Sequence, residues 1–156
     1  MFGDIGKATA RRLLAAQMHV IVYNPNDKAE TALSVERAEW PDRAGEADFI
    51  VITCSLTPSS RHMINAELLA VTKPGVRIVN VARGPVICEP DLVAALQSGR
   101  VYSAALDVFE TEPLMESPLR QHPRCVLGSH NASNTADAVE RTSNIAIEKL
   151  FGYLDI

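Results

Sequence analysis

Apolar and polar positions change period again and again along this chain. Ala10, Leu13 and Leu14 recur at helical spacing behind Gly6, which predicts a helix over 7–17, and 20–23 then predicts a strand that Asn24, Pro25 and Asn26 stop. Residues 27–47 are mixed and predict one or two short helical turns, with Pro41 and Gly45 as breakers. Residues 49–54 are a continuous apolar, β-rich run of the kind found in strands buried on both faces, with a loop at 56–59 beyond its carboxyl end. Helix is predicted at 65–71, turn at 73–75, strand at 76–80, and helix at 89–98 closed by Gly99. Strands follow at 102–106 and 125–127, and Val139, Ala146, Leu150 and Tyr153 lie on one face of a final helix over 135–154, the longest predicted.

This alternation is that of an α/β domain around a parallel sheet. With 156 residues and 47% hydrophobic positions, the chain suffices for one soluble globular domain over 1–156. A net charge of -4 without any basic run argues against nucleic acid or an anionic membrane surface as partner. No apolar run approaches the ~18 residues of a spanning helix and no leader opens the sequence, so the expected location is the cytoplasm. Cys54, Cys88 and Cys125 are widely spaced and form no C-x-x-C pair, so neither a disulfide framework nor a metal site is expected.

Chemistry enters at the amino end. Gly3, Asp4, Ile5 and Gly6 supply the last two glycines of a G-x-G-x-x-G turn, with Met1 where the first belongs, directly before an apolar helix. Glycine admits a pyrophosphate close to the backbone, and the free N–H groups of the following helix bind its charge. The same residues could also be an ordinary glycine-rich helix start. In a dinucleotide fold an acid about 20 positions on holds the adenosine ribose. Here Asn24 stands 18 positions after Gly6; its amide can bond a ribose without repelling a 2′-phosphate, which leaves NADP open beside NAD. Such a fold also has a strand leading into the glycine turn. None is present here, so the expected sheet lacks its first, central strand and the chain reads as an excerpt or a truncated reading frame.

The downstream blocks narrow the reading. Thr57-Pro-Ser-Ser-Arg-His-Met-Ile-Asn65, Lys73-Pro-Gly75, Val79-Asn-Val-Ala-Arg-Gly84, Ala104-Ala-Leu-Asp-Val-Phe109, Glu112-Pro113 and Gly128-Ser-His130 occur in a characteristic order and spacing. As a set they resemble the NAD-binding domain of the D-isomer-specific 2-hydroxyacid dehydrogenases, phosphoglycerate dehydrogenase-like members above all, over essentially the whole chain. The resemblance implies a Rossmann-type doubly wound parallel sheet, here without its first strand. It also implies hydride transfer between NAD(H) and the C2 position of a 2-hydroxy or 2-oxo acid, with 3-phosphoglycerate as one such acid, and a homodimer.

It further assigns roles. Arg83 would grip the substrate carboxylate with its rigid fork, although an isolated arginine there could simply cap a turn before Gly84. His130 would take and return the hydroxyl proton. Glu112 would bond the imidazole and fix its tautomer, or else be one more solvated acid in a loop that also holds Glu110 and Glu116. Asp107 would accept from the nicotinamide carboxamide, or else cap a loop. Gly3, Asp4, Ile5, Gly6, Asn24, Val81 and Ala82 complete the implied cofactor contacts. His19, His62 and His122 read as loop or surface residues.

Two departures bear on this assignment. Asn131, Ala132, Ser133 and Asn134 follow His130 where the family commonly has Ile-Gly-Gly, and the substrate domain that the family builds mostly from sequence before the glycine turn is not present. A non-catalytic NAD-responsive module is therefore one rival, and a different Rossmann enzyme, such as a hydrolase that holds NAD tightly, is another.

Overall fold

A computed structural model describes residues 2–24 and 32–154. Helix α1 (Asp4–Ala15) starts three residues earlier than its apolar spacing suggests, because Asp4 sits in the first turn, where the helix dipole favours an acid. It ends in a Schellman-type turn: Gln17 takes the left-handed conformation (φ 60°), its N–H bonds Leu14 O, and the N–H of Met18 reaches Leu13 O at 3.0 Å. Strand β1 (Ile21–Val22) follows and pairs in parallel with β2 (Glu36–Arg37).

Strand β2 lies in the stretch expected to be helical turns. Both of its residues are charged and exposed, so no apolar period marked it. Its ladder is set by Glu36 N–H to Val20 O and Ala38 N–H to Val22 O, while the Glu36 carboxylate meets His19 and Arg43 on either side. One short helical turn of the expected kind is present, a 3-10 turn at Ala44–Glu46. Residues 25–31, including the proposed stop at Pro25 and Asn26, lie outside the described residues, as does Met1.

The larger sheet is parallel throughout, in the order β3 (Phe49–Ile52), β4 (Val76–Asn80), β5 (Val101–Leu106), β6 (Cys125–Leu127). Helices α2 (Ala66–Val71) and α3 (Glu89–Gln97) contribute with the inward strand residues to one core. Ile78, Leu92, Leu96 and Val101 at its centre are essentially inaccessible to solvent. Asn65 caps α2 by accepting from Leu68 N–H at 3.0 Å, and the Arg100 guanidinium closes its other end on the carbonyls of Leu69, Ala70 and Thr72. Gly99 (φ 77°) turns the chain out of α3.

The opposite face is more open than the apolar run at 49–54 implies. Phe49 and Tyr102 are each almost half exposed there, with the Arg77 guanidinium 5.2 Å from one ring centroid and 4.7 Å from the other. Helix α4 (Ala136–Leu154) likewise buries none of its residues.

Among the described residues no ladder joins β1 to β3, so the sheet has two parts. In the order 3-2-1-4-5-6 the break falls at the position of the first strand, as expected from the sequence. Two cores correspond to the two parts. Phe2, Ala10, Val20 and Val22 form the smaller one, and α2, α3 and the four-stranded sheet enclose the larger. Among the described residues no helix is long and apolar enough to cross a membrane, and no group of His, Cys, Asp and Glu could hold a metal ion.

Candidate active site

The carboxyl ends of parallel strands are where α/β sheets bind ligands, and Arg83, Asp107, Glu112 and His130 follow β4, β5 and β6 at that edge. Strand β4 ends at Asn80, whose side chain is fully buried yet polar. Its Oδ1 accepts from Ala82 N–H at 3.0 Å and its Nδ2 donates to Arg83 O at 3.1 Å, so one amide shapes the whole turn from Val81 to Gly84. Arg83 is exposed at the end of that turn and donates to Ala82 O at 2.7 Å.

The turn leans directly on the segment that follows β5. A Cβ added at Gly84 would lie 1.8 Å from Phe109 O, so two backbones meet here where only glycine fits. Asp107 N–H also bonds Asn80 O at 3.0 Å, joining the two strand ends. Arg83 is thereby placed beside the stretch that carries Asp107 and Glu112.

That stretch in turn holds the loop bearing His130. Asp107 Oδ1 accepts from Asn131 N–H at 3.2 Å and Oδ2 from Ala132 N–H at 3.0 Å. A Cβ at Gly128 would come within 2.3 Å of Asp107 Oδ1, so the loop passes close over the carboxylate. Between these contacts His130 is held at φ 58°, a left-handed conformation that a side chain rarely takes without such support. The loop-capping reading of Asp107 thus has a concrete form, and it leaves lone pairs on both oxygens for a further donor.

Glu112 bridges the two segments. Its Oε1 accepts from Phe109 N–H at 3.0 Å, and its Oε2 lies 2.7 Å from His130 Nδ1. The hydrogen bond from His130 is the main cause that holds the Glu112 carboxyl below its ordinary value; burial opposes it and the Phe109 N–H adds to it. With Nδ1 occupied, Nε2 is the ring nitrogen left for a reacting group. An open groove of about 310 Å³ runs beside the pair, lined among others by Pro113, Leu114, Arg120 and Leu127.

Gly3 to Gly6 open helix α1, and Asn24 follows β1 of the smaller sheet. Gly3 precedes α1 without any side-chain cap, and a Cβ there would meet nothing within 4 Å, so the end of α1 is open. The N–H groups of the first helical turn have no intrahelical acceptor. At the end of β1, Asn24 Oδ1 is buried and has no partner among the described residues. Free N–H groups at a helix start are able to bind an anion, and a buried acceptor without a partner is able to take a hydroxyl.

Sequence reasoning missed the role of Asn80, although a polar residue closing an apolar strand before Arg-Gly was a usable signal. It also missed the pairing of His62 with Glu110 at 2.5 Å, for which local sequence held no signal.

A family model described as "D-isomer specific 2-hydroxyacid dehydrogenase, NAD binding domain" matches residues 1–132. The chain belongs to this family. Among curated relatives, this family member is 42% identical over 158 residues to the hydroxypyruvate reductase of Thermotoga maritima, a match covering 99% of the chain and 51% of that protein. It is 40% identical over 150 residues to the D-3-phosphoglycerate dehydrogenase of Mycobacterium leprae, covering 95% of the chain and 28% of that protein. The holo form of Rhodotorula graminis D-mandelate dehydrogenase superposes with a TM-score of 0.88 at 30% identity, over 97% of the chain and 45% of that structure. The chain therefore spans about half the length of the Thermotoga relative and about a quarter of the mycobacterial one.

Proposed function

We propose that the chain is the cofactor-binding part of an NAD-dependent 2-hydroxyacid dehydrogenase that moves hydride between NAD(H) and C2 of a 2-hydroxy or 2-oxo acid. The observation that carries this reading is the Glu112–His130 bond at the carboxyl edge of the sheet, on a segment packed against the Arg83–Gly84 turn. Gly3, Asp4, Ile5 and Gly6 would hold the pyrophosphate and Asn24 the ribose, with Val81, Ala82 and Asp107 along the nicotinamide. When bound, the nicotinamide supplies or accepts the hydride.

The remaining work falls to three side chains. Arg83, exposed and always charged, grips the substrate carboxylate and orients the neighbouring carbon. His130 takes the hydroxyl proton at Nε2 during oxidation and returns it during reduction. Glu112, by accepting at Nδ1, fixes the tautomer that leaves Nε2 free in the neutral ring. The small residues after His130 keep the approach to the ring open.

Hydroxypyruvate and 3-phosphoglycerate are the acids to try first, since the relatives named above carry them in their names. We assign the site to a domain that works with a second, substrate-binding body reached through α4, whose residues are all at least partly accessible. A homodimer in the cytoplasm completes the reading, and the three free thiols fit a reducing compartment.

The test is NADH oxidation with a panel of 2-oxo acids, measured on the polypeptide that includes the upstream half. Turnover that disappears in H130N supports the proposal; inactivity with every acid despite tight NADH binding refutes it. One observation favours a second reading, a module that binds NAD without catalysis: the two parts of the sheet share no ladder among the described residues.

A further inference from the structure

Outside the Glu112–His130 pair, a second imidazole and carboxylate meet. Glu110 Oε1 lies 2.5 Å from His62 Nε2, and Glu110 Oε2 accepts from Glu89 N–H, the first residue of α3, at 2.8 Å. Glu89 is engaged twice, because its carboxylate Oε1 accepts from Ser117 Oγ at 2.8 Å. The loop from Glu110 to Ser117 is thus fastened at both ends to one residue at the start of a helix that is anchored in the core by Leu92 and Leu96. Glu112 sits inside this span.

From this geometry we infer that Glu110, clasped between His62 and the Glu89 N–H, is a positioning residue that aims Glu112 at His130. The inference rests on the reading of Glu112 and His130 as the proton-handling pair.

In this loop Leu114 packs against the core, and Glu112 itself is held locally by the Phe109 N–H, so the Glu110 clasp fixes the side of the loop nearer β5. A carboxylate at Glu110 can accept from a backbone N–H and an imidazole together, so it fixes both the height of the loop over α3 and its lateral position against the loop that carries His62. Release of that end lets the segment around Glu112 swing, and the Nδ1 contact of His130 is then made only part of the time. Glutamine at Glu110 keeps both contacts, since its carbonyl accepts from Glu89 and its amide donates to a neutral imidazole.

The test is nitrogen-15 NMR of the imidazoles in the chain without cofactor, comparing wild type with E110A, E110Q and H62N. Asparagine suits position 62 because His62 has φ 51°. The expected result is a single His130 tautomer with a slowly exchanging Nδ1 proton in wild type and E110Q. In E110A and H62N that proton exchanges roughly tenfold faster or more and the tautomers average. His130 signals unchanged in folded E110A or H62N overturn the inference, and H62N carries the test alone if E110A does not fold. Because the readout needs no NAD, the two proposals fail separately. Altered His130 signals in a chain that binds no NAD refute the dehydrogenase reading only, and unaltered signals in a chain that binds NAD refute the positioning role only.

Discussion

Glu112 Oε2 stands 2.7 Å from His130 Nδ1, a side-chain bond that adds to the two backbone bonds of Asp107 in joining the segment leaving β5 to the loop leaving β6. It also makes stability depend on acidity. The Glu112 carboxyl is held below its ordinary value of 4.5, chiefly by the bond from His130. Its contribution is therefore complete above that ordinary value and is lost as pH falls through the lower, folded one. Urea midpoints measured from neutral pH into the acid range should fall less steeply in E112Q than in wild type. The effect is modest because the side chain is about one-third exposed.

Gly84 marks the contact between the Arg83 turn and the chain at Phe109. A methyl group there would sit 1.8 Å from a carbonyl oxygen and 1.9 Å from its carbon, neither of which can rotate away. G84A should cost about 1–3 kcal/mol by overpacking, read from chemical denaturation. It should also weaken any substrate bound through Arg83.

Asp107 receives two backbone N–H groups from the loop after His130. D107A removes the acceptor of both, and because these N–H groups are exposed and water replaces it, the cost should be about 0.5–1.5 kcal/mol. Faster hydrogen exchange at Asn131 and Ala132, with β4 unaffected, checks that the loss is local.

Asn24 Oδ1 is the buried acceptor at the end of β1. A neutral amide there discriminates little against a 2′-phosphate, so calorimetric titration should give NAD and NADP affinities within about tenfold of each other. N24D should tighten NAD and weaken NADP, and unchanged selectivity would count against the ribose role.

Much of this was legible because period and chemistry agreed. Strands β4 and β6 have the residues that the apolar pattern assigned, and α3 differs by one residue at its end. Strand β2 was invisible since two charged, exposed residues carry no period. The openness around Phe49 was equally hidden: an apolar run reports what a face can bury, and here Arg77 lies against its ring. Within the site, motif blocks marked Arg83, Asp107, Glu112 and His130, whereas the clasp of Glu110 by His62 and Glu89 depends on three segments far apart in sequence meeting in space.

The central claim is that a bound nicotinamide lies beside His130 and Arg83. The most direct measurement is titration of the chain with NADH while the His130 imidazole is followed by nitrogen-15 NMR. Saturable binding that shifts the His130 Nε2 resonance, and that disappears when Gly3 is replaced by a bulky residue in G3W, is the predicted result. Absence of binding, or saturable binding that leaves His130 unperturbed, would contradict it.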